Sequence, residues 1–143
     1  MMRALFEVNV LIALVDPEHV HYERVHKWWA ANRSSGWASC PITENGFARI
    51  LSQPSYPGAR APADAMRLLQ LFAVQANHAF WGDDISLLDG RRFNSSHMLG
   101  PKQLTDIYLL GVAVKNGGRV ATFDRAIPCN AVIDAEPRNL AVI

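Results

Sequence analysis

Cysteine is scarce: Cys40 and Cys129 are the only two in 143 residues. They are too few and too far apart in sequence for a disulfide framework or a zinc knuckle, so the chain reads as a protein of the reducing cytoplasm. Neither charge sign dominates. Fourteen Lys and Arg face thirteen Asp and Glu, a formal net charge of +1, which argues against a chain that wraps a polyanion along its length. Any nucleic-acid contact must come from a local basic patch. A membrane-spanning run is absent too, because the most apolar stretch, Ala4–Val15, is short and broken by Glu7 and Asn9. It reads as a core element, neither signal peptide nor anchor. There is no Gly-x-Ser-x-Gly elbow and no Cys with a poised His, which excludes the usual covalent nucleophiles. Asn9–Leu14 contains no glycine, which removes the phosphate loop of a flavodoxin-like or nucleotide-binding domain.

What is present is enough for a core. Half the residues are hydrophobic and 19% are charged, so residues 1–143 are expected to fold as a single domain. Arg3–Val8 reads as a strand buried on both faces. Asp16 and Pro17 suggest a helix start, and Tyr22, Val25, Trp28 and Trp29 give an amphipathic helix over His19–Asn32. Trp37–Cys40 is a second strand and Thr43–Leu51 a helix, stopped by the Pro54–Gly58 cluster. Ala63–Ala76 is a helix, Ala79–Trp81 a strand, Ile85–Leu88 a helical turn and Asp89–Gly100 a polar loop. Pro101–Asn116 is a helix apolar on almost every side, capped by Gly117 and Gly118. Arg119–Phe123 and Ala131–Ile133 supply the fourth and fifth strands, with Leu140–Ile143 as a further edge. Strands alternating with helices predict an α/β fold of three layers, α/β/α, with a mostly parallel sheet.

In such sheets ligands meet the carboxyl ends of the strands. Four acids fall there: Glu7 ends the first strand, Glu44 follows the second, Asp106 opens the apolar helix and Asp124 follows the fourth strand. Each alone fits a helix N-cap or a first-turn charge. Four converging carboxylates repel one another unless a cation sits among them or some are protonated. All-oxygen ligation selects a hard ion, Mg²⁺ or Mn²⁺, which can activate water and neutralise charge on a phosphodiester oxygen. Asn9, Thr105 and Thr122 offer short polar groups to orient the carboxylates.

The segment from Glu7 to Leu14 resembles the opening strand and turn of the PIN-domain family. Thr43-Glu44, Thr105-Asp106 and Thr122-Phe123-Asp124 are similar to that family's later acidic motifs, in order, and the resemblance covers essentially the whole chain. It points to the VapC type, the toxin of bacterial toxin–antitoxin pairs. The resemblance implies a PIN-like α/β/α fold with a four- or five-stranded parallel sheet, and an Mg²⁺- or Mn²⁺-dependent endoribonuclease, usually dimeric, held inactive by an antitoxin. It implies a catalytic set of Glu7, Glu44, Asp106 and Asp124, with Glu7, Asp106 and Asp124 on the metal and Asn9, Thr105 and Thr122 in support. One position departs: the family's usual first acid is Asp, and residue 7 is Glu. The extra methylene leaves a second reading open, a catalytically impaired module that binds RNA or protein.

Other features carry less. His21 and His26 lie five residues apart, the wrong spacing for two ligands on one helical face. Adjacent Trp28 and Trp29 cannot both point inward, so one is expected at a groove or partner. Arg91, Arg92 and Lys102, with Phe93 among them, suit a single-stranded RNA path. Asp83 and Asp84 read as a solvated turn. The apolar surplus of the two tryptophans and of Pro101–Asn116 predicts a homodimer and a groove for an amphipathic antitoxin segment.

Overall fold

A computed structural model describes residues 2–143. Five parallel strands form one sheet in the order β3-β2-β1-β4-β5: β1 (Ala4–Phe6), β2 (Trp37–Ser39), β3 (His78–Phe80), β4 (Arg119–Thr122) and β5 (Leu140–Val142). Alternation of side chains divides the core. Ala4, Phe6 and Ala121 face a layer built by α1 (Val8–Val15), α2 (Tyr22–Asn32), α3 (Pro41–Leu51) and α4 (Pro62–Gln75). Leu5, Ala38 and Val120 face α5 (Leu104–Lys115). The chain grows outward from β1 first through β2 and β3, then restarts beside β1 with β4 and β5. The switch point, where α/β sheets open a crevice, lies between the carboxyl ends of β1 and β4.

Several boundaries differ from the sequence reading. The first strand stops at Phe6, and Val8–Val15 is a helix, with Glu7 as its N-cap. An apolar run without period fits either element, and here Val10–Leu14 is buried throughout. Asp16 closes α1 instead of opening α2, which begins at Tyr22. Ile85–Leu88 forms no helix, and Pro101–Gln103 is a short 3-10 turn ahead of α5. Gly117 alone takes the left-handed cap, at φ 68°. Ala131–Ile133 is not a strand: Cys129–Ala131 is a 3-10 turn, and Val132 makes a lone antiparallel bridge to Phe93. The fifth strand is Leu140–Val142, paired with β4.

That bridge explains how α5 is covered. Phe93, Ile127, Ala131 and Val132 pack over it from within the same chain, so its apolar surface calls for no partner subunit. Trp29 is buried, while Trp28 is half-buried beneath the Arg119 guanidinium, 5.1 Å from the ring centroid. The loop lid fits a notch at Gly111, where an added Cβ would come within 2.7 Å of Phe93 Cε1. Gly111→Ala is therefore expected to destabilise the fold by about 1–3 kcal/mol, read from the denaturant midpoint. An unchanged midpoint would show that the lid yields freely.

Candidate functional site

Glu7 leaves β1 at the switch point, and its backbone N–H donates to Ala121 O at 3.1 Å, which fixes it beside β4. Its side chain bends back to accept from the Asn9 backbone N–H at 3.1 Å, closing the first turn of α1. Asp124 stands just past β4. The Thr122 hydroxyl oxygen accepts from its backbone N–H at 3.0 Å, and its carboxylate accepts from Ala126 N–H at 2.7 Å. Asp106 occupies the first turn of α5, the end that faces the same edge.

Glu7 and Asp106 sense the neighbouring acids. Burial, aided by the charges of Asp106 and Asp124, pushes the Glu7 carboxyl from 4.5 up to about 7. Burial, then Asp124, raises Asp106 to about 6. Glu44 is not among them. It accepts a hydrogen bond from the Ser39 hydroxyl at 2.6 Å, and the same hydroxyl meets His78 Nε2 at 2.8 Å, in a separate cleft between β2, β3 and α4. Thr43 supports the start of α3 through reciprocal bonds with the Cys40 backbone.

A cleft of about 640 Å³ opens beside Glu7, lined by Asn9, Asn45, Arg49, Asp83 and Thr105. Asn45, Arg49 and Asp83 were not singled out from the sequence as cleft residues. The usable signal for Asp83 was its position just past β3, at the same edge. Asp84 instead pairs with Lys115 in solvent. Thr105 lines the cleft, while Asn9 supports it through its backbone and stands exposed. In the basic loop, Arg91 is exposed and paired with Asp89 at 3.2 Å, Arg92 is half-buried and Lys102 is exposed. Phe93 is buried, so it offers no face to a base. His19 and His21 lie together next to Phe123, and His26 bonds the Leu14 carbonyl oxygen at 2.8 Å.

Glu7, Asp106 and Asp124 are all-oxygen donors at one sheet edge, a set whose charge and chemistry suit a hard divalent cation. Among the described residues no three His, Cys, Asp or Glu side chains stand close enough to ligate one ion together. The bend of Glu7 toward Asn9 is consistent with that separation.

The raised carboxyl values set a pH dependence for the metal-free protein. A group whose folded pKa lies above its unfolded one gives its full stability below the unfolded value and loses it as pH climbs through the folded one. For Glu7 the window runs from about 4.5 to about 7, and for Asp106 it runs from 3.8 to about 6. Melting curves in a chelator should therefore fall by several degrees between the acid end of this window and slightly alkaline pH, Glu7 accounting for at most about 3 kcal/mol. Glu7→Gln should flatten that slope, and an equal slope in the variant would count against the shift.

The chain is 45% identical to Ribonuclease VapC44 of Mycobacterium tuberculosis over 142 residues, 99% of this chain and 100% of that protein. It is 40% identical to Ribonuclease VapC39 of the same organism over 131 residues, 91% and 94% of the two chains. A third relative, Ribonuclease VapC38, is 40% identical over 125 residues, 87% and 86%. No family model matches the chain.

Proposed function

We propose, since this chain belongs to the family of VapC ribonucleases, that it is an endoribonuclease hydrolysing RNA phosphodiester bonds, the toxin of a VapBC-type toxin–antitoxin pair. The observation that carries the site is the placement of Glu7, Asp106 and Asp124 at one edge of the sheet, around the switch point between β1 and β4, where burial first and the two aspartates second lift Glu7 to about 7. Residues 1–143 act as one catalytic unit. The family works with a divalent metal ion, and the carboxylate set favours Mg²⁺ or Mn²⁺, held by Glu7, Asp106 and Asp124. When bound, such an ion lowers the pKa of water and neutralises charge on the phosphodiester.

The protein's own groups do the positioning. Thr122 and the Ala126 N–H hold Asp124 in place, and the Asn9 N–H holds Glu7. Thr105 lines the cleft beside them. Glu44, in the separate cleft between β2, β3 and α4 and restrained by Ser39, stands apart from these three acids and has no part in holding the ion. Arg91, Arg92 and Lys102 meet RNA phosphates on the loop that leads to α5. VapC toxins pair with a VapB antitoxin, and we assign an amphipathic antitoxin segment and a second copy of this chain as partners. Leu71 and Val74, exposed on α4, support such a face. No helix of the described residues is long and apolar enough to cross a membrane, and a cytoplasmic place of action belongs to the proposal.

The test is incubation of purified protein with RNA in chelator, Mg²⁺ or Mn²⁺. New internal ends should form with an ion and vanish in chelator. RNA bound but uncut under every condition would favour the second reading, an impaired binding module, which the Glu7–Asn9 bond supports. RNA neither bound nor cut would reject the ribonuclease and the RNA-binding module alike, leaving a module that binds protein.

A further inference from the structure

We propose that Phe123, His19, His21 and Arg24 form a stacking platform for unpaired nucleotides of single-stranded RNA, a proposal that rests on the ribonuclease reading above. Phe123 leaves β4 one residue before Asp124, so its ring marks the same sheet edge as the acids. Three planar groups gather on it. The His21 ring lies 4.6 Å away between centroids, and the His19 ring 6.3 Å away at an interplanar angle of 19°. The two histidines are themselves 5.6 Å apart, and the Arg24 guanidinium carbon sits 5.2 Å from the Phe123 centroid.

The surroundings leave this group available. Phe123, His19 and His21 are half-buried and Arg24 is exposed, so the cluster is open to solvent rather than sealed in the core. The ion pairs among the described residues involve Arg91, Lys115 and Arg138, not Arg24. Its charge can meet a phosphate while its plane and the rings meet a base. Single strands are held by this combination, cationic contact with the backbone and π faces for successive bases, with little demand on sequence. The loop from 89 to 100 cannot supply both halves, because its aromatic, Phe93, is buried. A platform at residue 123 instead holds a base at the same sheet edge as the acids, one residue along the chain from Asp124.

Binding is read by fluorescence anisotropy in chelator, so that no cleavage intervenes, with two labelled probes: a short oligoadenylate and an abasic ribose-phosphate strand of equal length. The unaltered protein should prefer the oligoadenylate by about tenfold or more. Phe123→Leu and His21→Ala should each weaken oligoadenylate binding by roughly five- to tenfold and leave the abasic strand unaffected, whereas Arg24→Ala should weaken both. Phe123 also touches the core; if its variant fails to fold by circular dichroism, His21→Ala, a half-buried side chain outside the core, decides the matter. Equal binding of the two probes by the unaltered protein overturns the platform, as does undiminished oligoadenylate affinity in the folded variants. Cleavage with a divalent ion is measured separately on the unaltered protein. RNA that is cut, with variants binding as tightly as their parent, overturns the platform alone; RNA neither bound nor cut overturns the ribonuclease reading with it.

Discussion

Asp106→Asn is expected to reduce divalent-ion-dependent RNA cleavage by at least about 100-fold while leaving the metal-free protein as stable as before, or more so. Asp124→Asn should behave alike. Electrostatic stabilisation at such a centre is worth several kcal/mol in the transition state, and each 1.36 kcal/mol is a factor of ten. The stability half of the result separates a ligand from a cap. Asp106 is pushed to about 6 by burial and by Asp124, so at neutral pH its charge costs the folded protein more than the unfolded chain, and an uncharged amide of the same shape relieves that cost. For Asp124 the amide oxygen can still accept the Ala126 N–H bond of 2.7 Å, so the turn after β4 survives. Cleavage assays and melting curves on the same preparations check both halves. Variants that cleave within about threefold of the parent would remove these acids from the centre, and loss of folding in both would make them structural caps.

The sequence disclosed where each acid leaves the sheet but not how it is turned. Glu7, Asp106 and Asp124 each follow a strand or open a helix at one edge, and parallel topology alone brings them together. Glu44 shows the limit of that reasoning. Ile42, Asn45 and Arg49, spaced three and four apart on α3, line the cleft, and a residue at position 44 points about a third of a turn away from that stripe. It meets Ser39 and His78 instead. The rotation of α3 follows from Gly46, where an added Cβ would lie 2.8 Å from Val8 Cγ2; close packing of α1 against α3 fixes the face, and no pattern in the chain states it. The same holds for Phe93. A polar loop with one aromatic reads as solvent-exposed, yet α5 is apolar all round and needs a cover, which Gly111 admits. The missing helix α1 was illegible for a simpler reason, since a buried run carries no amphipathic period to tell helix from strand.

Glu7→Asp is expected to raise RNA cleavage at low Mg²⁺ by about tenfold or more, and to lower the Mg²⁺ concentration that gives half-maximal rate. Glutamate carries one methylene more than aspartate, moving its carboxylate outward by roughly 1.3 Å and adding a rotatable bond, while Mg²⁺ tolerates little departure from oxygen distances near ~2.1 Å. Here the longer arm has an alternative use: it folds back onto the Asn9 N–H at 3.1 Å. A metal ion must compete with that bond. Aspartate is among the strongest helix N-cap residues, so the shorter side chain keeps α1 anchored, and the change should not weaken the fold. Placement errors of about 1 Å near a reacting centre can cost on the order of 100-fold in rate, which leaves room for the expected gain. The measurement is initial cleavage rate across a Mg²⁺ titration for both proteins, with melting curves alongside. If the protein with Glu7 already cleaves as fast at low Mg²⁺ as its Asp variant, residue 7 does not hold the ion, and its raised carboxyl reflects burial at the mouth of the cleft rather than membership of the centre.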